Sequence, residues 1–246
     1  LDGYPVDPER VALIPHGAPD NRMPEHPLPA RRTPVDRPTI LTWGLLGPGK
    51  GIEWVIDALG TLRDLDPAPR YLVAGETHPR VLERHGEAYR EALVARAADR
   101  GVGHLVDFDA RYRDLPGLGR MVARADVVIL PYDSREQVTS GVLVEALAAG
   151  KPVIATGFPH AVELLAGGAG LVVPHGDPVA IGAALRRVLT EPGLAAGLGR
   201  AAAALAPDLL WPAVADRYRV LARGLVEARL GAVPARHRSL VSSVSS

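Results

Sequence analysis

Two stretches of this sequence combine residue types that do chemistry together. The first runs from Gly44 through Gly47 and Gly49 to Lys50 and Gly51. Closely spaced glycines let a backbone approach a ligand, and a helix starting after such a loop presents amides with no helical partner. Both features suit an anion, phosphate above all, and Lys50 adds a positive charge on a flexible stem. The letters follow the Walker pattern G-x-x-x-x-G-K up to its last position, where a Mg²⁺-holding Ser or Thr is required and Gly51 stands instead. A tight glycine turn with a solvated lysine is the plain alternative. The second stretch spans 131–152. Ser140 is a good helix N-cap, and Gly150 with Pro152 stops the helix. The helix body is almost all small and apolar, with Glu145 in its middle. A buried carboxylate is costly unless it receives hydrogen bonds. Either Glu145 faces solvent on a half-exposed helix, or its two oxygens hold vicinal hydroxyls of a ligand while the amides of Ser140, Gly141 and Val142 hold a diphosphate.

Composition narrows the field. The 246 residues are 47% hydrophobic and 23% charged, which excludes a disordered chain and allows a substantial core. With aromatics at 4%, that core is aliphatic. Twenty-eight basic residues balance 28 acidic ones, so nothing predicts a nucleic acid or a membrane surface as partner. The absence of cysteine removes disulfides, thiolate metal sites and cysteine nucleophiles. His16, His26, His78, His85, His104, His160 and His175 are scattered without metal-ligand spacing, so no metal is expected. No apolar run reaches membrane-spanning length, and a cytoplasmic location is expected. Nearly all basic residues are Arg; only Lys50 and Lys151 are Lys, and with so much Ala and Gly this reads as a high-GC bacterial coding bias.

The elements that must position these residues follow from periodicity. Residues 1–38 hold nine of the 23 prolines and read as an extended arm or linker, with Val11–Ile14 a candidate edge strand. From residue 39, apolar runs at 39–43, 71–74, 105–108, 127–130, 152–155 and 170–173 alternate with helical stretches near 51–65, 80–100, 116–124, 141–149, 160–166 and 177–190. Short Val/Ile/Leu runs are typical of strands buried on both faces, so a doubly wound parallel α/β sheet is expected over 39–192. Helices follow at 193–205 and 212–230, the second with a stripe of Trp211, Val214, Tyr218, Leu221 and Leu225. It could pack on the sheet or reach another domain. Residues 231–246, basic and then Ser-rich, read as disordered. In such folds ligands bind beyond the carboxyl ends of the strands, at a switch in strand order.

Pro131-Tyr132, then Gln137, Thr139, Ser140 and Gly141, then Glu145 to Thr156 together resemble the donor half of nucleotide-sugar-dependent glycosyltransferases of GT-B architecture. The pattern is more similar to the retaining, family 4-like group, glycosyl transferases group 1, which includes glycogen synthase-like and mannosyltransferase members. Segments 14–17, 43–51, 72–79, 86–90 and 171–178 fall in the order that group shows, so the likeness covers roughly 11–225. It implies a Rossmann-like fold, one half of a GT-B enzyme, and no cofactor beyond a nucleoside-diphosphate sugar. It places Lys50, with the Gly44 and Gly47 amides, on the diphosphate. Gln137, Thr139, Ser140, Gly141 and Val142 fall against phosphate or sugar, and Glu145 on the ribose hydroxyls. The loop 107–111 falls near the base. The group commonly carries Gly-Arg where this chain has Gly44-Leu45, and a glutamate where Gln137 stands. A subgroup with Phe/Tyr-x-His-Ala-x-Glu implies that His160 approaches the sugar donor. The acceptor and catalytic residues are left unassigned, and peripheral membrane contact stays open.

The first ten residues lack an initiator Met and a secretory signal. The expectation is a truncated or excised piece whose acceptor-binding N-terminal domain is absent. Two other classes share these features: a nucleotide-sugar epimerase of the same architecture, and a non-catalytic nucleotide-binding module.

Overall fold

The computed structural model describes residues 7, 10–20 and 37–231. Most of the proline-rich arm and the serine-rich tail expected at 231–246 lie outside the described residues. Within them, strands β1 (Thr39–Trp43), β2 (Arg70–Ala74), β3 (Val106–Asp109), β4 (Val127–Leu130), β5 (Val153–Thr156) and β6 (Gly170–Val173) form one sheet. Helices α1 (Ile52–Ala58), α2 (Pro79–His85), α3 (Ala88–Asp99), α4 (Leu115–Arg124), α5 (Gly141–Ala148), α6 (Pro159–Leu165) and α7 (Pro178–Thr190) connect them, and α8 (Leu194–Leu209) and α9 (Trp211–Gly231) follow. Every strand pair is parallel, in the order β3-β2-β1-β4-β5-β6. This is the Rossmann-like, doubly wound arrangement expected from the alternation of runs.

The strand period of two divides the core between the faces. Ile40, Val127, Ile129 and Ile154 point into a core covered by α1, α3 and α7. Leu41, Val128, Leu130, Val153 and Ala155 point into the other, covered by α4, α5, α6 and α8. Each such side chain contributes roughly 1.5–3 kcal/mol when fully buried. Strand order reverses between β1 and β4, which pair through Ile40–Val127 and Leu41–Val128. In such sheets the ligand crevice opens at the carboxyl ends of the strands flanking this reversal.

Three expectations need correction. Val11–Ile14 forms no strand, and Leu13 is 86% exposed. Pro15 blocks continuation and no partner edge lies alongside. The arm is instead fastened at Ala18, whose amide donates to the Leu209 carbonyl at 2.8 Å and whose carbonyl accepts from the Trp211 amide at 3.0 Å. The helix expected over 80–100 breaks into α2 and α3 at Gly86, where φ is +58°. The stretch expected as one helix over 51–65 is α1 followed by a 3₁₀ turn, Leu59–Leu62. On α9, Val214 is buried, but Tyr218, Leu221 and Leu225 stay open to solvent. No described helix is long and apolar enough to cross a membrane.

Candidate functional site

The loop leaving β1 is shaped by backbone more than by side chains. The Gly44 amide donates to the Ala74 carbonyl at 3.0 Å, which corrects the expectation that it faces a diphosphate, and the Leu46 amide donates to the Glu76 carbonyl at 2.8 Å. The Leu46 carbonyl in turn accepts from the His78 amide at 2.8 Å. These bonds knit the loop to the one leaving β2, as if both strands ran on past the sheet. The loop then turns through Gly51, with φ +66°, into α1. A Cβ at Gly51 would stand 1.8 Å from the Pro131 carbonyl oxygen. The Walker pattern therefore fails here for a steric reason, because neither Ser nor Thr fits at this position.

A cavity of about 320 Å³ opens over this loop. Gly47, Lys50 and Gln137, all singled out from sequence, line it together with Tyr132, His78 and Arg80. The Lys50 Nζ lies 4.6 Å from the centre of the Tyr132 ring. Burial holds its ammonium below the usual lysine range. Tyr132 is itself locked in place: its ring stacks on Phe158 and its carbonyl accepts from the Thr156 hydroxyl at 2.6 Å and from His175 Nδ1 at 2.8 Å. Burial pushes its phenol up to about 12, with Ser140 at the start of α5 pulling the other way. Gln137 is partly committed, its amide donating to the Thr139 carbonyl at 3.0 Å. Thr139 is exposed and lines no part of the cavity.

The start of α5 lies beside this cavity. The Ser140 hydroxyl caps the helix by accepting from the Leu143 amide at 3.2 Å, and the Ser140 amide donates to His160 Nδ1 at 2.9 Å. The expectation that Ser140, Gly141 and Val142 all offer free amides is therefore corrected. Ser140 is occupied, and Gly141 and Val142 remain at the open end of the helix. Gly44 faces Val142, whose Cγ2 lies 3.7 Å from where a Gly44 Cβ would be. Gly141 lies under the His16 imidazole, which also packs on Trp211 at 5.3 Å between ring centroids.

Glu145 is half-buried one turn further along. Its carboxylate accepts a single hydrogen bond among the described residues, from the Trp43 indole at 3.3 Å. Burial raises its pKa, with the Trp43 hydrogen bond and His16 pulling the other way. Trp43 directly precedes Gly44, so the carboxylate and the glycine loop are coupled through adjacent residues. Glu145 does not itself line the cavity around Lys50. The loop 107–111 lines a second cavity of about 540 Å³ at the β2–β3 edge. There Asp109 is held well below the usual carboxylate range by the Arg111 guanidinium, with Arg113 adding to it. Among the described residues no cluster of His, Asp or Glu is arranged to hold a metal ion.

His160 approaches the α5 start as a buttress. With Nδ1 accepting a hydrogen bond, the neutral ring carries its proton on Nε2. Burial lowers its pKa from 6.5. The unfolded chain therefore binds this proton more readily, and stability is lost as pH falls through about 6.5. His160→Leu is expected to cost about 1–3 kcal/mol by orphaning the Ser140 amide. It should also flatten that acid limb, as chemical denaturation between pH 5 and 8 would measure. A variant with the parent's stability and acid limb would refute the buttress role.

Tyr132, His78, Arg80, Trp43 and His16 were not singled out by residue type. Trp43 is 102 positions from Glu145 in the chain, and only the strand order brings such pairs together. Pro131-Tyr132, lying just past a predicted strand, was the one usable local signal.

Comparison with known proteins agrees with this geometry. The family model for glycosyl transferases group 1 matches residues 37–191. A D-inositol 3-phosphate glycosyltransferase from Acidothermus cellulolyticus is 32% identical over 223 residues, 86% of this chain and 47% of that protein. A GDP-mannose-dependent alpha-(1-6)-phosphatidylinositol monomannoside mannosyltransferase from Mycolicibacterium smegmatis is 33% identical over 203 residues, 79% of this chain and 50% of that one. Among solved structures, the sucrose-phosphate synthase of Thermosynechococcus elongatus superposes with a TM-score of 0.70 at 27% identity, covering 88% of this chain and 53% of its own. The chain spans about half the length of the curated relatives it matches. A match running from the first strand to the end of α7 takes in the whole sheet and both cavity loops, and on that evidence the chain belongs to the glycosyl transferases group 1 family.

Proposed function

We propose that this domain holds a nucleoside-diphosphate sugar in the crevice between the β1 and β4 loops and gives up the sugar to an acceptor. One observation carries the reading: a glycine loop with a desolvated lysine lies beside a capped helix start with a half-buried, under-bonded carboxylate. Lys50 and the Gly141 and Val142 amides take the diphosphate, and Glu145 takes the ribose hydroxyls. As the sugar leaves, charge grows on the departing phosphate, and the ammonium and amides stabilise it without reorganising. Among the described residues no carboxylate lines the cavity, so no residue of this domain is assigned as nucleophile or base. Transfer with retention follows the resemblance to the retaining group. Lys50 and the helix start, rather than a divalent cation, balance the diphosphate charge.

The GDP-mannose dependence in the name of the Mycolicibacterium relative supports a nucleoside-diphosphate sugar. The half-length match to the relatives supports an acceptor-binding partner domain. The acceptor itself is not assigned.

Calorimetric titration with UDP, GDP, ADP and inorganic pyrophosphate tests the reading, with and without EDTA. At least one nucleoside diphosphate should bind, equally well in EDTA. Glu145→Gln should weaken it about tenfold, a charge-assisted hydrogen bond being worth that much, and leave pyrophosphate unchanged. The ionised carboxylate is the stronger acceptor for the ribose hydroxyls, with both oxygens free of protons. Because burial raises its pKa above 4.5, parent affinity should fall as pH drops into that raised range. No binding by any nucleotide, or equal losses for UDP and pyrophosphate, would reject the assignment.

A further inference from the structure

Resting on the reading that a diphosphate lies beside Lys50, we propose that Arg80 is the second cation on that diphosphate and makes the site prefer two phosphates over one. Among the described residues the cavity collects three basic side chains, Lys50, His78 and Arg80, and no acid. They come from two loops held in fixed relation by the Leu46–Glu76 and His78–Leu46 backbone bonds, each 2.8 Å. His78 Nδ1 accepts from the Arg80 amide at 3.1 Å, so the neutral ring offers an N–H at Nε2. That same bond sets the start of α2, from which the Arg80 side chain reaches the cavity.

Elsewhere in the fold Arg96, Arg111 and Arg186 are each engaged with an aspartate. Arg80 makes no ion pair among the described residues, and only its backbone amide is hydrogen-bonded. Arg80 is exposed where it lines the cavity, so water solvates its guanidinium in the free protein and an anion bound beside Lys50 takes that water's place. One ammonium matches one phosphate; the planar fork of Arg80 matches two oxygens of the next. Because α2 buries none of its side chains, changes at Arg80 leave the core intact.

The test measures affinity for UDP, GDP and ADP against the matching monophosphates by calorimetry in low salt. The parent should prefer the diphosphate. Arg80→Ala should lose roughly tenfold or more for the diphosphate and little for the monophosphate, while Arg80→Lys recovers part. Leu45 lines the same cavity and is 46% exposed, so adding Leu45→Arg to Arg80→Ala should restore the preference from a different loop. Arg84→Ala, on the same helix but off the cavity, is the control and should match the parent. If Arg80→Ala keeps the parent's ratio of diphosphate to monophosphate affinity while Lys50→Ala loses binding, Arg80 has no such role and the sugar-donor reading survives. If no nucleoside diphosphate binds the parent, both fall.

Discussion

Lys50→Ala is expected to bind nucleoside diphosphates and inorganic pyrophosphate on the order of 100-fold more weakly than the parent. Truncating one partner of a desolvated charge pair costs about 2–5 kcal/mol, and the missing ammonium cannot be replaced by water inside a lined cavity. The same change should barely touch the fold. In the free protein the ammonium is desolvated and, among the described residues, rests on the Tyr132 ring, a contact worth about 0.5–1 kcal/mol that is offset by relief of the buried charge. Affinity should also decline at a pH below the ordinary lysine value of 10.5, because burial shifts the ammonium downward and its loss removes the counter-charge. Calorimetric titration beside a thermal melt checks both halves. Affinity within threefold of the parent would remove Lys50 from the phosphate.

Gly51→Ala is expected to destabilise the domain by about 3 kcal/mol or more, lowering the melting temperature by roughly 10 °C. Its cost has two parts. The left-handed backbone penalises any side chain, and the added methyl would overlap the Pro131 carbonyl, which is backbone and cannot swing aside. Gly49→Ala separates them. At φ +88° with nothing within 4 Å of the new methyl, it should cost only about 1–2 kcal/mol. The clash at Gly51 also transmits to function, since the Asp133 amide donates to the Gly49 carbonyl at 3.0 Å and the Trp54 indole donates to Asp133 at 2.7 Å. Melting curves for the two variants, run together, decide it: equal losses would show that the packing against Pro131 does not matter.

The sheet was legible because its strands are apolar on both faces, so runs such as Val127–Leu130 need no partner to be recognised. Alternation with helices then left few topologies open. Gly86 was not read as a break because a lone glycine in a helical pattern is usually tolerated, and only its positive φ reveals the turn. Val11–Ile14 misled for the opposite reason: the run is apolar, but a strand also needs a neighbouring edge. At the site, Lys50 and Glu145 follow from local grammar, a lysine after glycines and before a helix and a carboxylate on an apolar one, whereas the Gly44 amide is taken by the Ala74 carbonyl. Tyr132, His78 and Arg80 were not legible, since an ordinary residue becomes part of a cavity only when strand order carries its loop there. The occupied Ser140 amide was hidden for the same reason, its acceptor lying on α6, 20 positions on.

Each of the chain's three tryptophans touches a residue near the proposed site. Trp43 is bonded to Glu145, Trp54 to Asp133, and Trp211 packs against His16 and Gly17. The indole emission therefore comes from side chains held by residues near that site, and a ligand that engages Glu145 changes the surroundings of Trp43. The fold has in effect built an intrinsic optical reporter, which lets occupancy be followed in real time on unlabelled material.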